Sequence, residues 1–364
     1  VFLALSLVVM SAACTRQDAG SDTSVNDSIS PDAGPSGQAS PIAGGEVVAA
    51  LDSRMWIVHQ AQDRTYWFGS NGQGIYRFDG TTIVRFTTQH GLGGDHIRSI
   101  QEDRAGIIYA VSDPGGVSRF DGRGFSRLTA LDPSQSEWKL GPDDLWFPAG
   151  QDTGAVYRWD GTLLHRLAFP VTAAGDAHHA AMPRSKNPNA NYSPYDVYTI
   201  FKDSKGHLWF GTAILGACRY DGTSFVWAGH GENGSFGVRS IAEDKDGTFW
   251  LSNCMSRFVE DPNAAAVPGA PRYRKEPGIT TEADPYSVFM STVRDKDGDL
   301  WMATLSGGVF QYDGNSWTHF PVTHDGNPIW VYSIYRDRDD VLWLGTQEHG
   351  IYKLNGESFE RFQP

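Results

Sequence analysis

An aromatic strand that runs through small residues into a turn, Asp-Gly in five copies, comes back seven times in this chain, and that recurrence constrains the fold before any single residue does. The copies read WFGSNGQGIYRFDG from Trp67, YAVSDPGGVSRFDG from Tyr109, WFPAGQDTGAVYRWDG from Trp146, WFGTAILGACRYDG from Trp209, WLSNCMSRFVED from Trp250, WMATLSGGVFQYDG from Trp301 and WLGTQEHGIYKLNG from Trp343. Self-similarity at a period of roughly 40 residues is the signature of a repeat architecture.

Each copy has the anatomy of four short antiparallel strands. Apolar residues stand six and three places before an aspartate, as in Ile97 and Ile100 before Asp103, Val197 and Ile200 before Asp203, Val238 and Ile241 before Asp244, and Val331 and Ile334 before Asp337. The turns that follow, DRAG, DSKG and the two DKDG, put an Asp where its side chain can bond the backbone and a Gly where φ turns positive. The aromatic opens the second strand, and the third ends in Asp79-Gly80, Asp121-Gly122, Asp160-Gly161, Asp221-Gly222, Asp313-Gly314 or Asn355-Gly356, dipeptides suited to tight hairpins. Phe125, Phe225, Trp317 and Phe359 lie in the fourth strands.

Four strands in each of seven repeats predict an all-β chain, a seven-bladed β-propeller of four-stranded antiparallel blades over residues 46–364, with the first strands innermost. The 12 Trp then act first as filler between blades, and 41 Gly suit short strands and tight turns. Helix should be scarce, because no long stretch has amphipathic helical spacing. The last blade owns all four of its strands by Phe362, so ring closure should rest on packing of blade seven against blade one, with Glu46 to Leu51 as an added edge strand. Ser99, Thr199, Ser240, Ser291 and Ser333 form a column of small hydroxyls beside the axis, where small side chains are what fits.

The N-terminus is of another kind. Residues 1–13, VFLALSLVVMSAA, are apolar and uncharged and too short to span a bilayer, which predicts a signal peptide that lacks its basic start. The string ends in SAAC and resembles the lipobox of bacterial lipoproteins, with Ser11 where Leu is usual and Cys14 as the lipidated residue. Residues 14–45 are rich in Ser, Asp, Gly and Pro and predict a disordered tether. Thr15 follows the Cys, so the resemblance implies an exported protein anchored by lipid to the bacterial envelope, at the outer membrane, facing the periplasm or the outside.

A formal charge of −13 makes the chain a poor partner for nucleic acid or anionic headgroups, so contact with a membrane is expected through the anchor alone. The cations in the third strands, Arg77, Arg119, Arg158, Arg219, Arg257 and Lys353, come one per blade and predict stacking on aromatics and pairing with turn carboxylates. Cys218 and Cys254 fall in consecutive blades but at different strand positions, which leaves both a disulfide and buried free thiols open. A monomer is expected.

The pattern D-x-x-G-x-L-W-x-G-T-x-x-G-G-V-x-x-Y-D-G, clearest in Asp295–Gly314 and Asp203–Gly222, resembles the two-component regulator propeller repeat. The resemblance spans Met55 to Pro364, with blades three and five degenerate. It implies a ligand-sensing domain like the periplasmic ones of hybrid sensor kinases, glycan sensors among them. No kinase, DNA-binding or transmembrane segment follows Pro364, so the expectation is a sensor-like binding module without its own transmitter.

Polar loop residues mark the candidate site: His90 and His96, His230 and Glu232, His324, Asp325 and Trp330, and Glu348 with His349. An insertion from Phe169 to Tyr195 adds Asp176, His178, His179, Arg184, Asn189, Asn191, Tyr192 and Tyr195. Ligand binding is assigned to Tyr192, Tyr195, His230, His324, Trp330, Glu348 and His349 at the mouth of the central channel, on the face of the blade-joining loops, with the insertion partly covering it. Aromatics beside polar groups on a concave rim suit a glycan or another polar small molecule. No cofactor is expected. The alternative is a lyase similar to the streptogramin lyases, with a divalent metal and His230, His324, Glu348 and His349 as base and ligands. A third reading is a scaffold for a partner protein, marked by an exposed apolar patch.

Overall fold

A computed structural model describes residues 44–151, 153–181, 193–228, 237–252, 256–261, 263, 273–276 and 289–364. The expectations for residues 1–43, lipid anchor and tether included, lie outside them, as do those for Arg184, Asn189, Asn191, Tyr192, His230, Glu232 and Cys254. Seven sheets follow one another along the chain as blades of a β-propeller, and a short hairpin, Thr323–His324 with Asn327–Pro328, stands between the last two. The inner strands are Met55–Gln60, Ile97–Glu102, Val197–Lys202, Ile241–Glu243, Phe289–Arg294 and Val331–Arg336 in blades one, two, four, five, six and seven. Glu46–Val48 pairs with Ile83–Phe86 and adds the expected edge strand outside blade one.

Blade three assembles its four strands differently. Its innermost described strand is Leu145–Pro148, the counterpart of second strands elsewhere, and Ala130–Leu131 instead joins the outer edge, parallel to Leu164–Ala168. The cause is in the sequence: the positions that hold apolar residues in other inner strands are here Ser134 and Glu137, between Pro133 and Pro142. Ala149 N–H bonds Ala155 in the next strand, so the alternate residues Trp146 and Pro148 turn their main chain toward the axis. Gln101 Nε2 donates to Trp146 O at 2.7 Å, and Pro148 has no N–H to leave unpaired there.

The turn aspartates tie blades four to seven together. Asp203 Oδ1 accepts from Lys205 and His207 N–H, and its Oδ2 accepts from Trp209 Nε1 at 2.9 Å. The same bond joins Trp250 to Asp244, Trp301 to Asp295 and Trp343 to Asp337 at 3.0, 2.8 and 2.7 Å. The third-strand cations behave as expected: Lys353 and Arg257 lie over Trp343 and Trp250, and Arg158 and Arg219 pair with turn carboxylates. Two residues after the anchoring aromatic, a glycine lets the next blade approach. A Cβ on Gly211 would lie 2.3 Å from Val238 O of blade five.

Ring closure is by side chains and loops. Tyr66 of blade one donates to Asp337 of blade seven at 2.8 Å, Gln60 N–H to the Tyr335 hydroxyl at 3.0 Å, and Phe362 packs on Phe68, Phe78 and Trp343. Helix is as scarce as expected among the described residues. One α-helix, Ala173–Ala181, lies in the blade-three insertion, where Tyr195 pins it by donating to Asp176 Oδ1 at 2.8 Å. Cys218 is a buried free thiol whose pKa burial pushes up.

His59 sits in the inner strand of blade one with its Nε2 buried, 3.8 Å from Glu102. Burial, helped by Arg338, pushes its pKa from 6.5 down to about 4. The unfolded chain therefore takes up that proton first, so the stability held by neutral His59 is whole above pH 6.5 and is lost as pH falls through about 4. We expect a loss of about 3 kcal/mol across that interval in urea titrations, and its absence in His59→Gln.

Candidate functional site at the channel mouth

The inner strands are not regular where they enter the ring. In blade one, Met55 pairs with Ser70 and Ile57 with Gly69, so Trp56 is an extra residue without a cross-strand partner. Arg98, Tyr198, Met290 and Tyr332 occupy the same bulge in blades two, four, six and seven. Arg239 holds the matching place in blade five, where its N–H and that of Ser240 both donate to Ser252 Oγ. A bulge turns a side chain out of the pleat, and repeating it around a ring gathers the turned side chains at the axis.

These side chains meet. Trp56 and Tyr332 stack at 4.3 Å with ring planes 5° apart, the Arg98 guanidinium lies over Trp56 at 5.2 Å, and that of Arg239 lies over Tyr198 at 4.5 Å. Burial lowers the pKa of Arg98; Asp113 and Tyr332 oppose this, and the charge of Arg239 adds to it. Burial raises the pKa of Tyr332, Arg239 and Arg98 act against the rise, and Glu348 adds to it. Both cations and Glu348 are thus within electrostatic reach of one phenol. Trp56 Nε1, Ser333 Oγ and Gln347 Oε1 are buried without a hydrogen-bond partner among the described residues. Such atoms call for an explanation, and a site that completes its bonds with a ligand supplies one.

The residues named from sequence divide. Glu348 belongs with the mouth through Tyr332, and Trp330, 47 % exposed, stands two residues before that phenol. His324 and His349 lie farther out over blade seven, their rings 4.7 Å apart, with His324 Nδ1 3.0 Å from the hydroxyl of buried Tyr352. Tyr195 is buried, and its hydroxyl is held between Thr172 and Asp176, so it supports the insertion and offers no open stacking face. His90 Nδ1 accepts from Thr87 N–H at its own turn, and His96 bonds Asn71. Five of the six residues in this column escaped the reading of loops because they are in strands, and Arg239 stands just before one. Their signal was a column five places before the turn Asp, or before Ala61 in blade one, visible once the repeats are aligned.

The small-hydroxyl column behaves as its size implied. Ser333 and Thr199 lie opposite Gly345 and Gly211, and Ser291 opposite Ala303. Among the described residues, no three His, Cys, Asp or Glu side chains converge as cation ligands. No helix among them is long and apolar enough to cross a membrane.

Residues 191–213 and 325–348 match the family described as two-component regulator propeller, so the chain carries those repeats. No curated protein matches it in sequence. Among solved structures, the extracellular domain of a one-component system from B. thetaiotaomicron is similar over 87% of this chain and 40% of its own, with a TM-score of 0.57 and 19% identity. The chain thus spans 40% of the length of the sensor domains it resembles. Virginiamycin B lyase from Staphylococcus aureus is similar over 85% of this chain and 97% of its own, at a TM-score of 0.58 and 12% identity. YCF48 from Cyanidioschyzon merolae is similar over 86% and 99%, at 0.55 and 14%; a further structure is YCF48 bound to a D1 peptide. At such identities the likeness is one of fold.

Proposed function

Starting from a chain built of two-component regulator propeller repeats, we propose that it is an exported, sensor-like ligand-binding propeller whose channel mouth takes a glycan or another polar small molecule. The observation that carries this is the ring of bulged residues, which brings the Trp56–Tyr332 stack, two guanidinium groups and Glu348 within electrostatic reach of one another at the axis. Flat aromatic faces beside hydrogen-bonding groups are what a sugar ring requires. The extracellular sensor domains of B. thetaiotaomicron support the reading by fold, and the leader-like residues 1–13 with SAAC support export and a lipid anchor at Cys14. The lyase reading has less support, since His324 is engaged with Tyr352 and lies outward of the mouth. The peptide complex of YCF48 keeps a partner protein as the other class of occupant.

A thermal-shift screen over oligosaccharides and peptides tests the reading, because any ligand of the native state raises its melting temperature. Trp56→Ala and Tyr332→Ala should each weaken binding of a hit at least about ten-fold, the scale of a lost stacking contact. Trp330→Ala should weaken it less, and His324→Ala should leave it unchanged. A hit that binds Trp56→Ala and Tyr332→Ala as tightly as the parent would move the site away from the mouth. Incorporation of labelled fatty acid, lost in Cys14→Ser, tests the anchor.

A further inference from the structure

Two of the mouth residues carry charges that no carboxylate among the described residues answers. In a protein of formal charge −13, four of the third-strand arginines are matched with carboxylates: Arg77 with Asp63, Arg158 with Asp144 and Asp160, Arg219 with Asp221 and Glu260, Arg257 with Asp244. Arg98 and Arg239 have no carboxylate within 4.0 Å among the described residues, and each lies instead over an aromatic ring. They come from blades two and five, yet each feels the other's charge. Two like charges brought together in a partly buried place are unfavourable unless an anion joins them. Acidic residues are plentiful in this chain, yet Asp113 reaches Arg98 and Glu348 reaches Tyr332 electrostatically without closing an ion pair on either arginine.

Their geometry favours an anion over a second neutral contact. The Arg98 guanidinium carbon lies 5.2 Å over the Trp56 ring, and that of Arg239 4.5 Å over the Tyr198 ring. No carboxylate among the described residues takes up the N–H groups of either, and these are the groups that meet carboxylate or sulfate oxygens in pairs. Stacking also limits side-chain freedom before any ligand arrives, which lowers the entropy lost on binding. In the same ring, Trp56 and Tyr332 provide the apolar face that a sugar needs next to its charged group.

Resting on the channel mouth as the binding site, we infer that its ligand is an acidic oligosaccharide whose carboxylate or sulfate is held between Arg98 and Arg239 while a sugar ring lies against the Trp56–Tyr332 pair. The inference goes from a polar ligand to an anionic one, and it assigns the recognition to Arg98 in an inner strand and to Arg239 just before one.

Calorimetric titration of the full chain with matched trisaccharides tests it. One arm uses hexuronate trimers beside their carboxyl-reduced forms, which keep the rings and lose the charge; the other uses sulfated galactose trimers beside the desulfated ones. The expected result is that at least one acidic trimer binds at least about 30-fold tighter than its neutral partner, more weakly as salt is raised. Arg98→Gln and Arg239→Gln should each reduce that affinity about ten-fold or more and flatten the salt dependence. Which arm responds tells carboxylate from sulfate. If no acidic trimer binds better than its neutral partner, or if both arginine variants bind as the parent does, the inference is overturned. A neutral trimer bound by the parent as tightly as its acidic partner and lost in Trp56→Ala would overturn the anion and keep the mouth. Acidic binding indifferent to Trp56, Tyr332 and both arginines would overturn the site itself.

Discussion

Asp203→Ala is expected to destabilise the propeller by about 4 kcal/mol, because one carboxylate satisfies three donors that nothing else nearby can serve. Two are the backbone N–H groups of Lys205 and His207, which set the turn between the first two strands of blade four, and the third is the indole of Trp209, a fully buried side chain. Asp203→Asn should recover part of the loss, since an amide oxygen can still take the backbone donors while its NH2 group faces the indole N–H. Nature supplies the converse case. Blade one has Ala61 at this position, and Trp67 Nε1 is buried with no partner among the described residues. Ala61→Asp should therefore stabilise the fold by about 1 kcal/mol. Urea unfolding of the four chains measures all of this, and equal midpoints for Asp203→Ala and the parent would show that the indole bond is not what holds the blade.

Gly345→Val should have an effect of similar size, about 4 kcal/mol, for a steric reason. A Cβ at Gly345 would stand 2.5 Å from Trp56 O and 2.6 Å from Ser333 Oγ, and the first of these is main chain of the neighbouring blade. The inner strand of blade one would have to move away from blade seven. That displacement would open the seam held by Tyr66, Asp337 and Tyr335, and it would part the Trp56–Tyr332 stack at the same time. The variant should thus lose both unfolding free energy and affinity for any mouth ligand. Ala303 occupies the same column in blade six and is fully buried, so Ala303→Gly is a control that should cost about 1 kcal/mol.

How much of this could be read from the sequence depends on the range of the contacts involved. The Asp-to-Trp spacing, present in four blades, and the Asp-Gly or Asn-Gly hairpin, present in six, are local repeats, and one sequence shows them on its own. The parallel addition of Ala130–Leu131 to blade three is not local, although polar Ser134 and Glu137 already spoke against an inner strand there. The site was legible in part. Trp330 and Glu348 were found because polar and aromatic loop residues stand out, whereas Trp56 and Arg98 look like ordinary strand residues until register places each in a bulge, and Arg239 gains its place only from its alignment with them. Tyr195 misled for the opposite reason: an aromatic in an irregular loop is as often its anchor as its binding surface, and only the partners of its hydroxyl tell the two apart.

A ring of seven equal walls would offer an asymmetric molecule seven equivalent ways to lie at its centre, and each would compete with the others. Blade three prevents this degeneracy. Its innermost described strand is one place farther from the axis in the blade order, capped by Pro148 and Gln101, and so the bulge column skips it. The remaining positions read, in order around the axis, Trp56, Arg98, a gap, Tyr198, Arg239, Met290 and Tyr332, a sequence that no rotation maps onto itself. A molecule entering the mouth therefore meets a fixed head and tail, and a fold assembled from copies acquires the handedness needed to tell one orientation of its occupant from another.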